Sequence, residues 1–127
     1  MVHFDHIEIH VKDSSYYMKY LHKLFKGGRS KRISENNTYM FLSPDLIRFE
    51  IKENINYNIN FDISKNIGVC LPCLRMKDAK SHLKSIKEIS IKNIITNPDG
   101  FCYFFTDHEE IEWHIKDYEI LDIFTNI

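Results

Sequence analysis

The chain repeats itself, and a repeat limits the folds open to it more than any local propensity does. Asp13 and Asp78 lie 65 residues apart. Each is followed five residues later by an apolar residue of an expected helix, Met18 or Leu83, and eight residues later by another, Leu21 or Ile86. Phe41 to Ile51 lies over Phe105 to Ile115 at a shift of 64 without a gap, which sets Pro44 over His108, Phe49 over Trp113 and Glu50 over His114. Two copies of one supersecondary unit are therefore expected, each with a sheet face it cannot cover alone.

The elements of the unit follow from periodicity. His6 to Val11 alternates strictly, with Ile7, Ile9 and Val11 on one face and His6, Glu8 and His10 on the other, as in a strand. Asp13-Ser14-Ser15 is a helix start, and Tyr17, Met18, Leu21, Leu24 and Phe25 form one apolar stripe. Gly27-Gly28 is expected to end that helix in the left-handed conformation. Extended stretches over 29–34 and 37–43 follow, then the turn Ser43-Pro44-Asp45 and a strand from Leu46 to Lys52. The polar, Asn-rich residues 53–65 read as a linker. The second copy gives a strand over Ile67–Arg75, a helix capped by Asp78 and carrying Ala79, Leu83 and Ile86, and a strand over Ile89–Thr96. The turn Asn97-Pro98-Asp99-Gly100, a strand over Phe101–Thr106, the turn Asp107–Glu110 and a strand over Ile111–Lys116 complete it. The expected fold is α+β: one domain of two βαβββ modules, 1–52 and 66–116, forming a cupped mixed sheet with helices outside, and an apolar tail at 117–127.

Composition removes several function classes. The chain has 127 residues and a net charge of −1, so no basic excess exists to track phosphates, and the run Lys26 to Arg32 is broken by glycines. No nucleic-acid partner is expected. The longest apolar run, Ile67 to Leu74, is too short to span a bilayer. The three cysteines, Cys70, Cys73 and Cys102, and an N-terminus without signal-peptide order point to a cytoplasmic protein in a reducing compartment. Cys70-Leu-Pro-Cys73 lies within an expected strand, so its sulfurs should face opposite ways, Cys73 into the cup and Cys70 outward. His22 and His108 read as surface residues, and Phe49, Phe105 and Trp113 as core.

The polar face of the first strand carries side chains that bind metals and move protons. Taken alone it is also what the wet face of a one-sided sheet looks like. The βαβββ duplication, with His-Ile-Glu-Ile-His-Val-Lys-Asp-Ser-Ser leading into the first helix and Phe-Leu-Ser-Pro-Asp-Leu-Ile-Arg-Phe-Glu-Ile ending the first half, resembles the vicinal oxygen chelate superfamily. That superfamily includes glyoxalase I, bleomycin-resistance proteins, extradiol dioxygenases and fosfomycin-resistance enzymes. The resemblance covers roughly residues 4–116 and implies a glyoxalase-like fold.

It also implies a ligand set. The family histidine, seven residues before the aspartate that leads the helix, falls on His6, and the carboxylate closing the first half falls on Glu50. The second-half counterpart of His6 is Leu71, which cannot ligate. The last ligand position falls on His114, or on Glu112 if the register slips by two, since the glycine usual in the preceding turn is missing. His6, Glu50 and His114 would suit Zn, Fe, Ni or Mn with positions left open. Glu8 and His10 could orient a ligand or contact substrate, and Cys73 could line the cup. Arg48 could bind a substrate carboxylate or pair with Glu8 or Glu112.

Two functional readings follow from the resemblance. In the first, a divalent metal activates a small molecule with two neighbouring oxygens, and Glu50 or Glu112 shuttles the proton. In the second, a metal-free cup sequesters a small molecule, as drug-binding members of the family do; Leu71 favours it. Either way the resemblance implies a homodimer.

Overall fold

The computed structural model describes residues 1–54, 71–97 and 100–117. It divides into two compact units, Met1–Ile63 and Ser64–Ile127. The remainder of the expected linker, the start of the expected strand at Ile67 (with Cys70), Pro98, Asp99 and the tail from Tyr118 lie outside the described residues.

The first unit runs β1 (Ile7–Val11), α1 (Ser14–Leu24), β2 (Arg29–Ser34), β3 (Thr38–Leu42) and β4 (Arg48–Glu53). The second runs β5 (Cys73–Arg75), α2 (Ala79–Lys84), β6 (Ser90–Asn97), β7 (Gly100–Thr106) and β8 (Glu112–Asp117). Each forms a four-stranded mixed sheet, ordered β1-β4-β3-β2 and β5-β8-β7-β6. In both, the first strand pairs in parallel with the last, and the remaining pairs are antiparallel. This is the expected βαβββ module, twice.

Alternation decides which face is covered. In the first unit Val11, Phe41, Phe49 and Ile51 are buried together with Tyr17, Met18, Tyr20, Leu21 and Leu24 of α1. Phe25, just past the helix, has its ring centroid 5.5 Å from that of Phe41 and 5.6 Å from that of Phe49. In the second unit the same sites hold Phe105, Trp113 and Ile115, buried with Ala79, Leu83 and Ile86. Ile86 lies beyond the end of α2, in the turn that follows it. Fully burying one such side chain is worth roughly 1.5–3 kcal/mol, so the apolar faces dominate each unit's stability.

Turn geometry repeats at the same shift. The Ser43 amide donates to the Ile47 carbonyl and the Ile47 amide to the Ser43 hydroxyl, and the Asp107 amide donates to the Ile111 carbonyl and the Ile111 amide to the Asp107 carboxylate. Leu46 (φ 70) and Glu110 (φ 64) both take the left-handed conformation. This conformation delays β4, which starts at Arg48 rather than at the expected Leu46. Asp107 also accepts the Trp113 indole N–H at 3.0 Å, which satisfies the one polar atom of that buried ring.

Four expectations are corrected. Helix α1 closes through Lys26 (φ 53), not a glycine: the Gly27 and Lys26 amides donate to His22 and Lys23, a Schellman-type end. Gly28 is needed for a different reason, since a Cβ there would lie 2.6 Å from Phe41 and 2.7 Å from the Leu42 carbonyl. His22 is half-buried, edge-on to Phe41, rather than on the surface. Glu53 and Asn54 are not linker: Glu53 ends β4, and the Asn54 amide donates to Val11.

The fourth concerns helix starts. Asp13 caps α1 as expected, accepting from Tyr16 at 3.0 Å. Asp78 does not cap α2 with its side chain, because it sits in the left-handed region at φ 60. Asp117, at the end of β8, instead accepts the amides of Asp78 and Ala79 at 3.0 and 3.2 Å. Glu53, at the end of β4, does the same for Ser14, taking its amide and hydroxyl at 3.1 Å each. Each module thus ties the end of its last strand to the start of its helix. The bonds from Asn37 and then Ser14 hold the Glu53 carboxyl below its ordinary range. Glu53→Ala is expected to destabilise the chain by about 1–2 kcal/mol in urea unfolding, the scale of a lost cap. Gly28→Ala should cost more than the roughly 1 kcal/mol of a helix glycine change, because both φ (+99) and space oppose it.

Candidate functional site

The face of the first sheet opposite α1 carries the candidate site. The parallel register sets Glu8 beside Glu50 and His10 beside Lys52. Met40 of β3 lies opposite Glu50. His6 immediately precedes β1, and its Nε2 lies 3.0 Å from Glu50 Oε2. Its Nδ1 lies 2.6 Å from Asp5 Oδ2. Lys52 Nζ reaches Glu8 Oε1 at 2.8 Å and Glu50 Oε1 at 3.5 Å, and His10 Nε2 reaches Glu8 Oε2 at 3.2 Å. Asp5, His6, Glu50, Lys52, Glu8 and His10 thus form one continuous row of alternating charge.

Such a row does little for stability. Exposed ion pairs are worth about 0–1 kcal/mol each, far less than the apolar face beneath them. Its effect is on protonation and orientation. The hydrogen bond to Asp5, then the charges of Glu50, Asp5 and Glu8, raise the His6 pKa. The same bond lowers Asp5. Lys52 and then His10 lower Glu8, and Glu8 raises Lys52.

His6 and Glu50, which the family resemblance implies as a pair, are brought together. Glu8, expected to orient a ligand or touch substrate, is held by Lys52. Arg48 is exposed at the start of β4. Sequence reasoning does not single out Asp5 or Lys52. Lys52 is legible, since it shares the alternation of Arg48 and Glu50; Asp5 is not, because it stands outside the alternating run.

The second unit holds the other candidates. The β7–β8 ladder pairs Phe104 with His114 and Thr106 with Glu112. Its mate in the first unit pairs Met40 with Glu50 and Leu42 with Arg48. The shift of 64 therefore persists through the turn without a slip, with Glu110 taking the left-handed position a glycine would favour. His114 is the structural counterpart of Glu50, and Glu112 of Arg48. The His114 ring stacks on Phe104 with centroids 5.0 Å apart and planes 8° apart. Its Nδ1 is buried without a hydrogen-bond partner among the described residues. Burial, then the Lys116 charge, lowers its pKa. Cys73 lies beside His114 in register and donates its thiol to the Leu74 carbonyl. Partial burial of its sulfur raises the Cys73 pKa, so the neutral thiol is favoured. Cys102 is buried and raised by the same cause. Leu71 and Glu112 are exposed.

The donor set can be tested against a divalent metal. Two donors bound cis at about 2.1 Å would lie about 3.0 Å apart. The His6–Glu50 separation of 3.0 Å meets that without any shift of backbone. The remaining His6 nitrogen meets a carboxylate, the arrangement common behind metal-bound imidazoles. Within each unit taken alone, the described residues gather no group of three or more His, Cys, Asp or Glu side chains that could hold a metal. Among the described residues no helix is long and apolar enough to cross a membrane.

The sequence matches no family model and no curated protein. Solved structures do match the fold. The fosfomycin resistance protein FosX from Listeria monocytogenes aligns over 100% of this chain and 99% of its own at 12% identity, with a TM-score of 0.69. A point mutant of the same FosX, complexed with Mn(II) and 1S,2S-dihydroxypropylphosphonic acid, aligns over 94% of this chain and 93% of its own at 13% identity, with a TM-score of 0.68. A glyoxylase/bleomycin resistance protein/dioxygenase domain from Frankia sp. aligns over 91% of each chain at 10% identity, with a TM-score of 0.67. The fold is the glyoxalase-like pair of βαβββ modules.

The two histidines should titrate on opposite sides of the ordinary value of 6.5. An NMR titration is expected to find His6 above it and His114 below. The signs of their linkage to stability differ. His6, raised on folding, contributes stability that is complete below 6.5 and is lost as pH rises through its folded pKa. His114, depressed on folding, contributes stability present above 6.5 and lost as pH falls through its folded pKa.

Proposed function

We propose that this chain is a metal-dependent enzyme acting on a small molecule that offers two neighbouring oxygens. The observation that carries the reading is the His6–Glu50 pair: an imidazole and a carboxylate with donor atoms 3.0 Å apart, on the polar face of a βαβββ sheet. FosX, of the same fold, has been crystallised with Mn(II). His114 is proposed as the third ligand because it holds in β8 the place that Glu50 holds in β4. Burial shifts its imidazole toward the neutral form, the one that ligates. A divalent ion held by these groups, Zn, Ni, Fe or Mn, supplies a Lewis acid with positions open to substrate oxygens.

The chain's own residues do the rest. Lys52 holds the second Glu50 oxygen and limits rotation of that carboxylate. Glu50 or Glu112 is the proposed proton carrier. Glu8, Arg48 and Cys73 are proposed to contact the substrate. The exposed Arg48 guanidinium suits a carboxylate or other anionic group on it. We also propose a homodimer, as the family resemblance implies.

A second reading, a metal-free small-molecule binder of the same fold, is favoured by one observation. Leu71, the counterpart of His6, offers no donor.

Metal content separates the two. Untagged protein supplied with Mn(II), Zn(II), Ni(II) or Fe(II) is expected to retain about one metal per chain, as structural and catalytic sites do. His6→Ala and Glu50→Ala should each weaken retention by about 100-fold or more, the effect of losing one ligand of three. Unmodified protein that holds no stoichiometric metal after each of these additions overturns the enzymatic reading in favour of the binder.

A further inference from the structure

We infer that Asp5 is a positioning residue that fixes which nitrogen of His6 is free to ligate. The inference rests on the metal-site reading above for its purpose, but not for its geometry. His6 lies between two carboxylates, with Nδ1 2.6 Å from Asp5 and Nε2 3.0 Å from Glu50. A neutral imidazole carries one proton, so the two carboxylates compete for it. If the proton sits on Nε2, the nearby charge of Glu50 favours it there and that nitrogen has no lone pair to offer. If it sits on Nδ1, it is donated to Asp5, and Nε2 faces the Glu50 oxygen as a bare donor atom beside another. The shorter contact is the one to Asp5, and shorter charge-assisted bonds are the stronger. Asp5 therefore selects the tautomer that leaves the Nε2 lone pair free, 3.0 Å from the Glu50 carboxylate.

A structural role for this contact is poorly supported. Asp5 and His6 are adjacent in sequence, so the bond closes no loop and joins no two elements. The Asp5 carboxylate is 80% exposed and makes no other hydrogen bond among the described residues. Nothing in the packing of β1 depends on it. What depends on it is the orientation and proton of one ring.

The test reads the tautomer directly. Long-range proton–nitrogen NMR on histidine-labelled protein reports which ring nitrogen of His6 carries hydrogen, with and without Zn(II). In the metal-free wild type, above the His6 pKa, the proton is expected on Nδ1. In Asp5→Ala it should move to Nε2, where the charge of Glu50 favours it. Asp5→Asn, which keeps the side-chain shape but can donate to Nδ1, should likewise lose the single Nδ1–H form. Zn(II) affinity, measured by competition with a chromophoric chelator, should fall about 10–100-fold in Asp5→Ala, the usual effect of removing a carboxylate behind a ligating histidine. Glu35→Gln, which removes one exposed charge away from β1, should change affinity by less than about twofold.

An unchanged His6 tautomer in both Asp5 variants, or Zn(II) bound as tightly by Asp5→Ala as by the wild type, overturns the inference. If the wild type binds no Zn(II), the metal-site reading falls, and the tautomer result alone still decides whether Asp5 sets the proton.

Discussion

The candidate site of the first module depends on the register between two strands that never meet in sequence. β1 and β4 pair in parallel with Glu8 beside Glu50, and that pairing alone sets His6 within reach of Glu50. A slip of one residue would turn every side chain of β1 to the other face, burying His6, Glu8 and His10 and exposing Ile7, Ile9 and Val11. The apolar face beneath α1 forbids that. A slip of two keeps the faces but moves His6 by about 6–7 Å along the strand, far beyond a hydrogen bond. What forbids the slip of two is the set of bonds at the far end, where Glu53 holds Ser14 and the Asn54 amide donates to Val11. The helix start is thereby locked to the strand end, and the short segment before β1 inherits a fixed position.

The architecture was legible because a duplication is a long-range signal that needs no contact map. Phe41, Phe49 and Ile51 predict Phe105, Trp113 and Ile115, and all six are buried. What the repeat could not carry was detail that depends on backbone angle. Lys26, Leu46 and Glu110 occupy left-handed positions that sequence rules would give to glycine. Asp78 looks as good a cap as Asp13, but its own left-handed backbone removes its side chain from the helix end, and Asp117 takes over from 39 residues away. Local rules see a capping residue; they do not see a carboxylate arriving from another strand.

The candidate site divides the same way. His6 and Glu50 are found as a pair because the family resemblance places a ligand at each of those positions of the repeat. Asp5 escapes because its importance comes from a bond to its neighbour's ring, and many residues flank a histidine without touching it. Lys52 escapes because Arg48 draws attention as the cation of that face. The structure gives the Glu8 and Glu50 carboxylates to Lys52 instead, since Lys52 lies beside His10 in register and reaches back along the strand.

The two modules have kept one backbone and diverged in what they place on it. On the open face of the first, His6, Glu8, Glu50 and Lys52 form a charged row. At the matching positions of the second stand Leu71, Cys73, His114 and Lys116. The second face has Leu71 and Cys73 where the first has His6 and Glu8, so its histidine, at the place of Glu50, meets a different field. His6 sits between anions and is drawn toward the charged form. His114, stacked on Phe104, is drawn toward the neutral form by burial and then by the Lys116 charge. Under the proposed metal-site reading, a cation at His6 would compete with a proton that Asp5 and Glu50 favour, and at His114 that competition would be weaker. The repeat gives two matching sets of positions, and the different side chains on them make the two faces chemically distinct.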